Sequence, residues 1–130
     1  MVVGLSAPDV LTTNSVAFRR AASDDLKTIV TLLADDPIGR GRENPGTQLD
    51  TCYGDAIAAI DRDPNQLLAV AEGGGQVIGV LQLSFIPGLT RRGMWRGQIE
   101  GVRVAAEERG SGIGRAMRLG VARAARHLSL

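Results

Sequence analysis

Four kinds of side chain are nearly missing from this 130-residue chain, which has one cysteine, one histidine, one lysine and four aromatic residues. A single cysteine, Cys52, excludes an internal disulfide and fits a reducing compartment. One histidine and one cysteine cannot supply a usual zinc site, so no metal centre is expected. With so few aromatics the core must be built from Leu, Ile, Val and Ala, and nucleic-acid stacking has little to work with. No apolar run approaches the ~20 residues of a membrane span. The opening MVVGLSAPDVLTTNS has no basic residue ahead of its apolar stretch and makes a poor signal peptide. Its Pro, Ser, Thr and Asn content predicts a flexible tail over residues 1–15. A cytoplasmic protein with no membrane partner is the expectation.

What is present is ordinary for one soluble domain, spanning 16–130: 44% hydrophobic and 22% charged residues. The charge is unevenly placed. Residues 87–130 hold nine Arg against three Glu, a balance of +6, whereas residues 1–86 balance at −5. A basic end on an acidic body calls for an anionic partner at that end, either small-molecule phosphates or nucleic acid.

Val16–Arg20 can form a short strand. Ser23 then offers an N-cap, with Asp24 and Asp25 in the first turn of a helix whose apolar face is Leu26, Ile29, Val30 and Leu33. Pro37 stops it near Asp36. Residues 37–47 read as a loop, and 48–62 as a second helix with Leu49, Cys52, Tyr53, Ala56, Ile57 and Ile60 on one side. On this reading Cys52 is a small buried hydrophobe. Two apolar runs, 67–71 and 77–86, flank three glycines and predict a β-hairpin. A third strand follows at about 94–105, then a helix over 112–128 with Ile113, Met117, Val121, Ala124 and Leu128 inward and His127 in its last turn. The order β-α-α-β-β-β-α gives an α/β or α+β sheet covered by helices.

The most specific stretch is GVRVAAEERGSGIGRAM, residues 101–117. A strand, a glycine-rich turn and a helix together make a phosphate-binding device, because glycine lets the backbone approach closely and the first helical N–H groups lack partners. Counting excludes two versions of it. A dinucleotide fingerprint needs Gly where Arg115 or Met117 stands, and a P-loop needs a lysine where none exists. What fits is Arg109-x-x-Gly112-x-Gly114, preceded by Val102-Arg103-Val104. This resembles motif A of the Gcn5-related N-acetyltransferase (GNAT) family, and the order of elements over 16–128 is similar too.

The resemblance implies a GNAT-like mixed, mostly antiparallel sheet with flanking helices, and acetyl-CoA as co-substrate. The backbone of Val102, Arg103 and Val104 would pair with the pantetheine arm beside a bulge. The amides of Arg109, Gly110, Ser111, Gly112, Ile113, Gly114 and Arg115 would hold the pyrophosphate. Gln98, Glu100, Val102 and Val104 alternate and share a face until a bulge intervenes. Glu100 then stands where the family often has a carboxylate and is the candidate base for a primary amine. Arg91, Arg92, Trp95 and Arg96 on the connection into this strand read either as an exposed basic hairpin or as the border of an acceptor pocket. Asp35, Asp36 and Glu43 read either as a solvated acidic loop or as acidic groups for a cationic amine from a small molecule or a protein. The family continues with a strand, a helix and two strands, so the expectation is an incomplete domain that self-associates, a homodimer among the options. The family's leaving-group tyrosine has no counterpart, because Tyr53 falls in the second helix. A non-catalytic CoA-binding module is the alternative. A nucleic-acid module is disfavoured by the acidic first half.

Overall fold

The computed structural model describes residues 11–13, 16–36, 38–46 and 48–126. Five strands, β1 (Leu11–Thr13), β2 (Val16–Arg20), β3 (Gln66–Gly73), β4 (Gln76–Ile86) and β5 (Arg96–Val104), form one sheet in that order. Every strand pair is antiparallel. Among the described residues four right-handed helices accompany it: α1 (Leu26–Ala34), the single turn α2 (Gly39–Arg42), α3 (Thr51–Arg62) and α4 (Ile113–Arg126). From β2 onward this is the expected α+β order. Two elements are additional. Leu11–Thr13, within the stretch read as a tail, pairs with β2, and α2 interrupts the predicted loop.

The apolar runs of β3 and β4 are buried on both sides, which is why they read as continuous rather than alternating. One face carries Phe18, Leu67, Ala69, Ala71, Leu81, Leu83 and Phe85 against Ile113 and Met117 of α4. Trp95, half-buried just ahead of β5, packs on the same cluster. The opposite face carries Leu68, Val70 and Val80 against Ile29 and Leu32 of α1 and Ile57 of α3. Helix α4 docks where the sheet is thinnest: a Cβ on Gly79 would lie 2.9 Å from the Met117 sulfur. The β3–β4 turn is Gly74-Gly75, at φ +59° and +78°, the left-handed pair that a two-residue hairpin of matching twist requires.

Three local expectations change. Ser23 does not cap α1; residues Ser23–Asp25 form a 3₁₀ turn, and Asp25 closes it. The Ala22 N–H donates to Asp25 Oδ2 (2.7 Å) while the Asp25 N–H donates to Ala22 O (2.9 Å). Asp25 also accepts from both Arg19 Nη atoms (2.8 and 2.9 Å), and Arg19 reaches Glu72 besides, so a longer-range partner outbids the local hydroxyl. Cys52 is exposed, because α3 turns Tyr53, Ile57 and Ile60 inward at i, i+4, i+7 and leaves Cys52 one position off that stripe. Ile113 and Met117 are buried as expected; His127 and Leu128 lie outside the described residues.

Met117 is fully buried, so Met117→Ala should lower stability by about 2–5 kcal/mol in a denaturant titration, the usual cost of such a cavity. The Arg19 guanidinium, above all, holds the Asp25 carboxyl below its ordinary range. Its stabilisation is complete above that range and is lost as pH falls through the depressed folded value. Asp25→Asn should therefore destabilise the chain at neutral pH and flatten the acid limb of a stability-against-pH curve.

Candidate functional site

The register of β5 on β4 breaks at one point. Glu100 pairs with Gln82 and Arg103 with Val80, so Gly101 and Val102 together face the single residue Leu81. Gly101 sits at φ +64°, the left-handed first position of a bulge that glycine fills without strain. The extra residue reverses which side of the sheet each side chain takes. Gln98 and Glu100, partners of Ser84 and Gln82, lie on the α1/α3 face, whereas Val102 and Val104 pack into the α4-face cluster. The predicted shared face therefore ends at Gly101, as the bulge demands.

After the bulge the backbone turns its polar groups outward. The Ala105 N–H donates back to Ile78 O (2.8 Å), so the alternating ladder points the amides and carbonyls of Val104 and Val102 away from β4. Both carbonyls are engaged by guanidinium groups. Arg103 Nη1 donates to Val102 O (2.9 Å), and Arg109 Nε donates to Val104 O (3.2 Å).

Beyond a 3₁₀ turn at Ala106–Glu108, the glycine loop leads into α4. Gly110 and Gly112 hold φ at +84° and +86°, and a Cβ on either would meet nothing within 4 Å, so the loop surface is open. The first bond of the helix runs from the Ala116 N–H to Gly112 O (2.9 Å). The N–H groups of Ile113, Gly114 and Arg115 precede it and have no intrahelical acceptor. The Arg109 and Ser111 amides are committed within the turns, to Ala106 O and Glu108 O. Of the seven amides read as a pyrophosphate cradle, two are thus committed within turns, and the three at the helix start lack an intrahelical acceptor.

The acidic corner at the end of α1 holds this loop in place. Asp35 Oδ2 lies 3.2 Å from Arg109 Nη2, and Asp36 Oδ2 lies 2.8 Å from Arg103 Nε. Asp36 also accepts from the Gly39 N–H, and that amide, followed by the Arg103 charge, holds its carboxyl below the ordinary aspartate range. Gly39 is forced: a Cβ there would collide with Leu33 O. Glu43 accepts from the Tyr53 hydroxyl (2.8 Å), which itself accepts from the Asn44 N–H (3.0 Å). The three acids expected to await a cationic amine are all engaged within the chain, an outcome the sequence could not disclose because each partner is distant or across a loop.

Between these parts lies a cleft of about 620 Å³, walled by Asp36, Ile38 and Arg42 on one side and by Val102–Val104 and Arg109 on the other. That volume is in the range of small-ligand sites. Ile38 and Arg42 escaped the sequence reading, since nothing in a loop forecasts that it folds over a strand edge. A second omission is a polar group on the α1/α3 face. Gln66 Oε1 accepts from Gln82 Nε2 and from Ser84 Oγ, both at 3.0 Å. The signal was present in QVIGVLQLSFI, where alternate residues change from apolar to polar at Gln82.

Residues 26–130 match the sequence profile of the acetyltransferase (GNAT) family. Among solved structures, a transcriptional regulator from Bacillus halodurans C-125 is 40% identical with a TM-score of 0.82, over 86% of this chain and 75% of that one. Glucosamine-6-phosphate N-acetyltransferase from Arabidopsis thaliana shares the fold at 18% identity and TM-score 0.69, covering 88% of this chain and 77% of its own. So does a predicted acetyltransferase of Clostridium acetobutylicum solved with acetyl-CoA, at 20% and 0.67, covering 88% and 76%. No curated protein matches the chain.

The engagement of Asp36 can be read directly by carboxyl carbon NMR: its midpoint should fall below the ordinary aspartate range, and Arg103→Gln should return it only part of the way, because the Gly39 amide remains. An ordinary midpoint in the unmodified chain would show that neither the Gly39 amide nor Arg103 engages this carboxyl in solution.

Proposed function

The chain belongs to the acetyltransferase (GNAT) family, and from that premise we propose that it transfers an acetyl group from acetyl-CoA to a primary amine. The bulge at Gly101 carries the reading. It sets an exposed carboxylate, Glu100, two positions before a strand edge whose outward backbone groups border an arginine-lined cleft.

The residues present suit acetyl-CoA. Val102 and Val104 offer main-chain donors and acceptors to its pantetheine arm once Arg103 and Arg109 release the two carbonyls. Ile113, Gly114 and Arg115 present free N–H groups and the positive end of a 14-residue helix to the pyrophosphate. Arg42, Arg103 and Arg109 add charge for a polyanion. Open space above Gly110 and Gly112 admits the phosphates without collision. When bound, acetyl-CoA supplies an activated acetyl thioester.

The chain's own work is then placement and one proton. Glu100 takes the proton of the incoming ammonium through water, so that the nitrogen lone pair becomes available, a service worth roughly 10²–10⁴ in rate. Holding two reactants on one strand, either side of the bulge, contributes the proximity that direct transfer depends on. Tyr53 is spent on Glu43 and Asn44 and does not serve the leaving thiolate. We place the reaction in the cytoplasm on the strength of the single free cysteine. Among the described residues no helix is long and apolar enough to cross a membrane.

Calorimetry with acetyl-CoA and an amine panel tests this, using Cys52→Ser so that thiol release can be followed without the exposed native thiol. Gly112→Val should weaken acetyl-CoA binding at least about tenfold, since valine strains a φ of +86° and fills the approach to the helix start. Glu100→Gln should keep the acetyl-CoA affinity and lose about 10²–10⁴ in turnover. Binding without turnover of any amine would favour a non-catalytic CoA-binding module, and absence of binding would end both readings.

A further inference from the structure

On the α1/α3 face, β5 presents Arg96, Gln98 and Glu100 in alternate positions, all three exposed. Their cross-strand partners on β4 are Ile86, Ser84 and Gln82, and Ser84 in turn faces Gln66 on β3. Nearer the middle of the sheet this same face is the apolar cluster of Leu68, Val70 and Val80. Beyond it the pattern changes abruptly to Gln66, Gln82, Ser84, Gln98 and Glu100. Half-burying two glutamines and burying a serine loses hydration, which the shared acceptor Gln66 Oε1 compensates while fixing Gln82 and Ser84 in place. A sheet that needed only stability would have continued apolar under its helices.

The outer end of this track is basic. Thr90–Gly93 is a left-handed turn in which Arg91 and Arg92, neither a glycine, hold φ at +52° and +62°. Such backbone is strained and concentrates where ligands bind. It delivers Arg91, Arg92 and Arg96, all exposed, within six residues at the start of β5. The track therefore runs from cation at Arg96, through neutral hydrogen-bonding groups, to anion at Glu100.

Resting on the acetyltransferase reading above, we propose that this track is the acceptor groove and that its substrates are small amines bearing an anionic group, phosphate or carboxylate, at the far end. The amine goes to Glu100, the anion to Arg96, and the intervening chain lies over Gln98 beside Gln82 and Ser84. Four residue steps separate the two charged positions, about 14 Å between their Cα atoms at 3.4 Å per residue. With both side chains reaching inward, a linker on the order of five carbons spans the remainder. A guanidinium recognises either anion through paired N–H donors. The same three arginines repel a second amine, so diamines and lysine-rich peptides are poor acceptors.

Three compounds alike but for the far end decide this: n-pentylamine, 1,5-diaminopentane and 5-aminopentyl phosphate. The expected order of kcat/KM places the phosphate at least about tenfold above pentylamine, the effect of a single charge-assisted contact, and the diamine below both. Arg96→Gln should collapse the phosphate-to-pentylamine ratio toward one. Titration of the nitrogen-labelled full chain with 5-aminopentyl phosphate, without acetyl-CoA, should shift the Arg96, Gln98 and Glu100 amides and the Gln82 side-chain amide. Pentyl phosphate, lacking the amine, should shift Arg96 but not Glu100. A ratio near one in the unmodified chain, or shifts centred away from β5, would overturn the groove. If acetyl-CoA fails to bind while the aminophosphate shifts appear on β5, the groove stands and the acetyl donor is what falls. If acetyl-CoA binds and pentylamine is acetylated as well as the phosphate, the donor stands and the groove falls.

Discussion

Gly101 holds its backbone at φ +64° and adds one residue opposite Leu81, so every side chain after it on β5 changes sides. Without that addition Val102 and Val104 would point toward α1, and the core beneath α4 would lose two of the residues packed against it. The glycine loop would then leave the sheet from the wrong face and α4 would not meet Gly79. The bulge thus does two things with one residue: it keeps the last helix on its sheet, and it places a carboxylate and a polar backbone edge side by side on opposite halves of one strand.

Charge keeps the second half of that strand in order. Asp35 and Asp36 stand at the end of α1 and hold Arg109 and Arg103, while these arginines reach the outward carbonyls of Val104 and Val102. Arg109 and Asp35 are about half exposed, so their pair is weak and easily exchanged. The Arg103–Asp36 pair is more enclosed, so the two guanidinium groups stand gathered at the cleft, one held more firmly than the other. The acids therefore organise the site by collecting cations, a role opposite to the one their sequence position suggested.

How far the sequence went can be traced residue by residue. The hairpin at Gly74-Gly75 and the helix from Ile113 are written in local periodicity and turn chemistry, and the fold confirms them. The family resemblance rested on Arg109, Gly112 and Gly114, whose spacing survives without any knowledge of the partner strand. What was illegible depended on register or on distant partners. Asp25 prefers Arg19 and the Ala22 amide, so Ser23 is left without a capping role. Cys52 misses the buried stripe of α3 by one position. Gln66, Gln82 and Ser84 come together only when β3 and β4 are paired, although the change from apolar to polar at Gln82 was visible alone.

The chain's one tryptophan stands at the threshold of β5, half-buried on the α4-face core and next in sequence to Arg96. Its one cysteine lies exposed on α3, on the other side of the sheet. Ultraviolet emission from the indole accordingly originates at a single, known place, and a dye attached to the thiol marks a second without any background from other sites. Nature has left this small protein wired for optical measurement: changes at the head of the strand and the distance between the two faces become separate colours of the same signal.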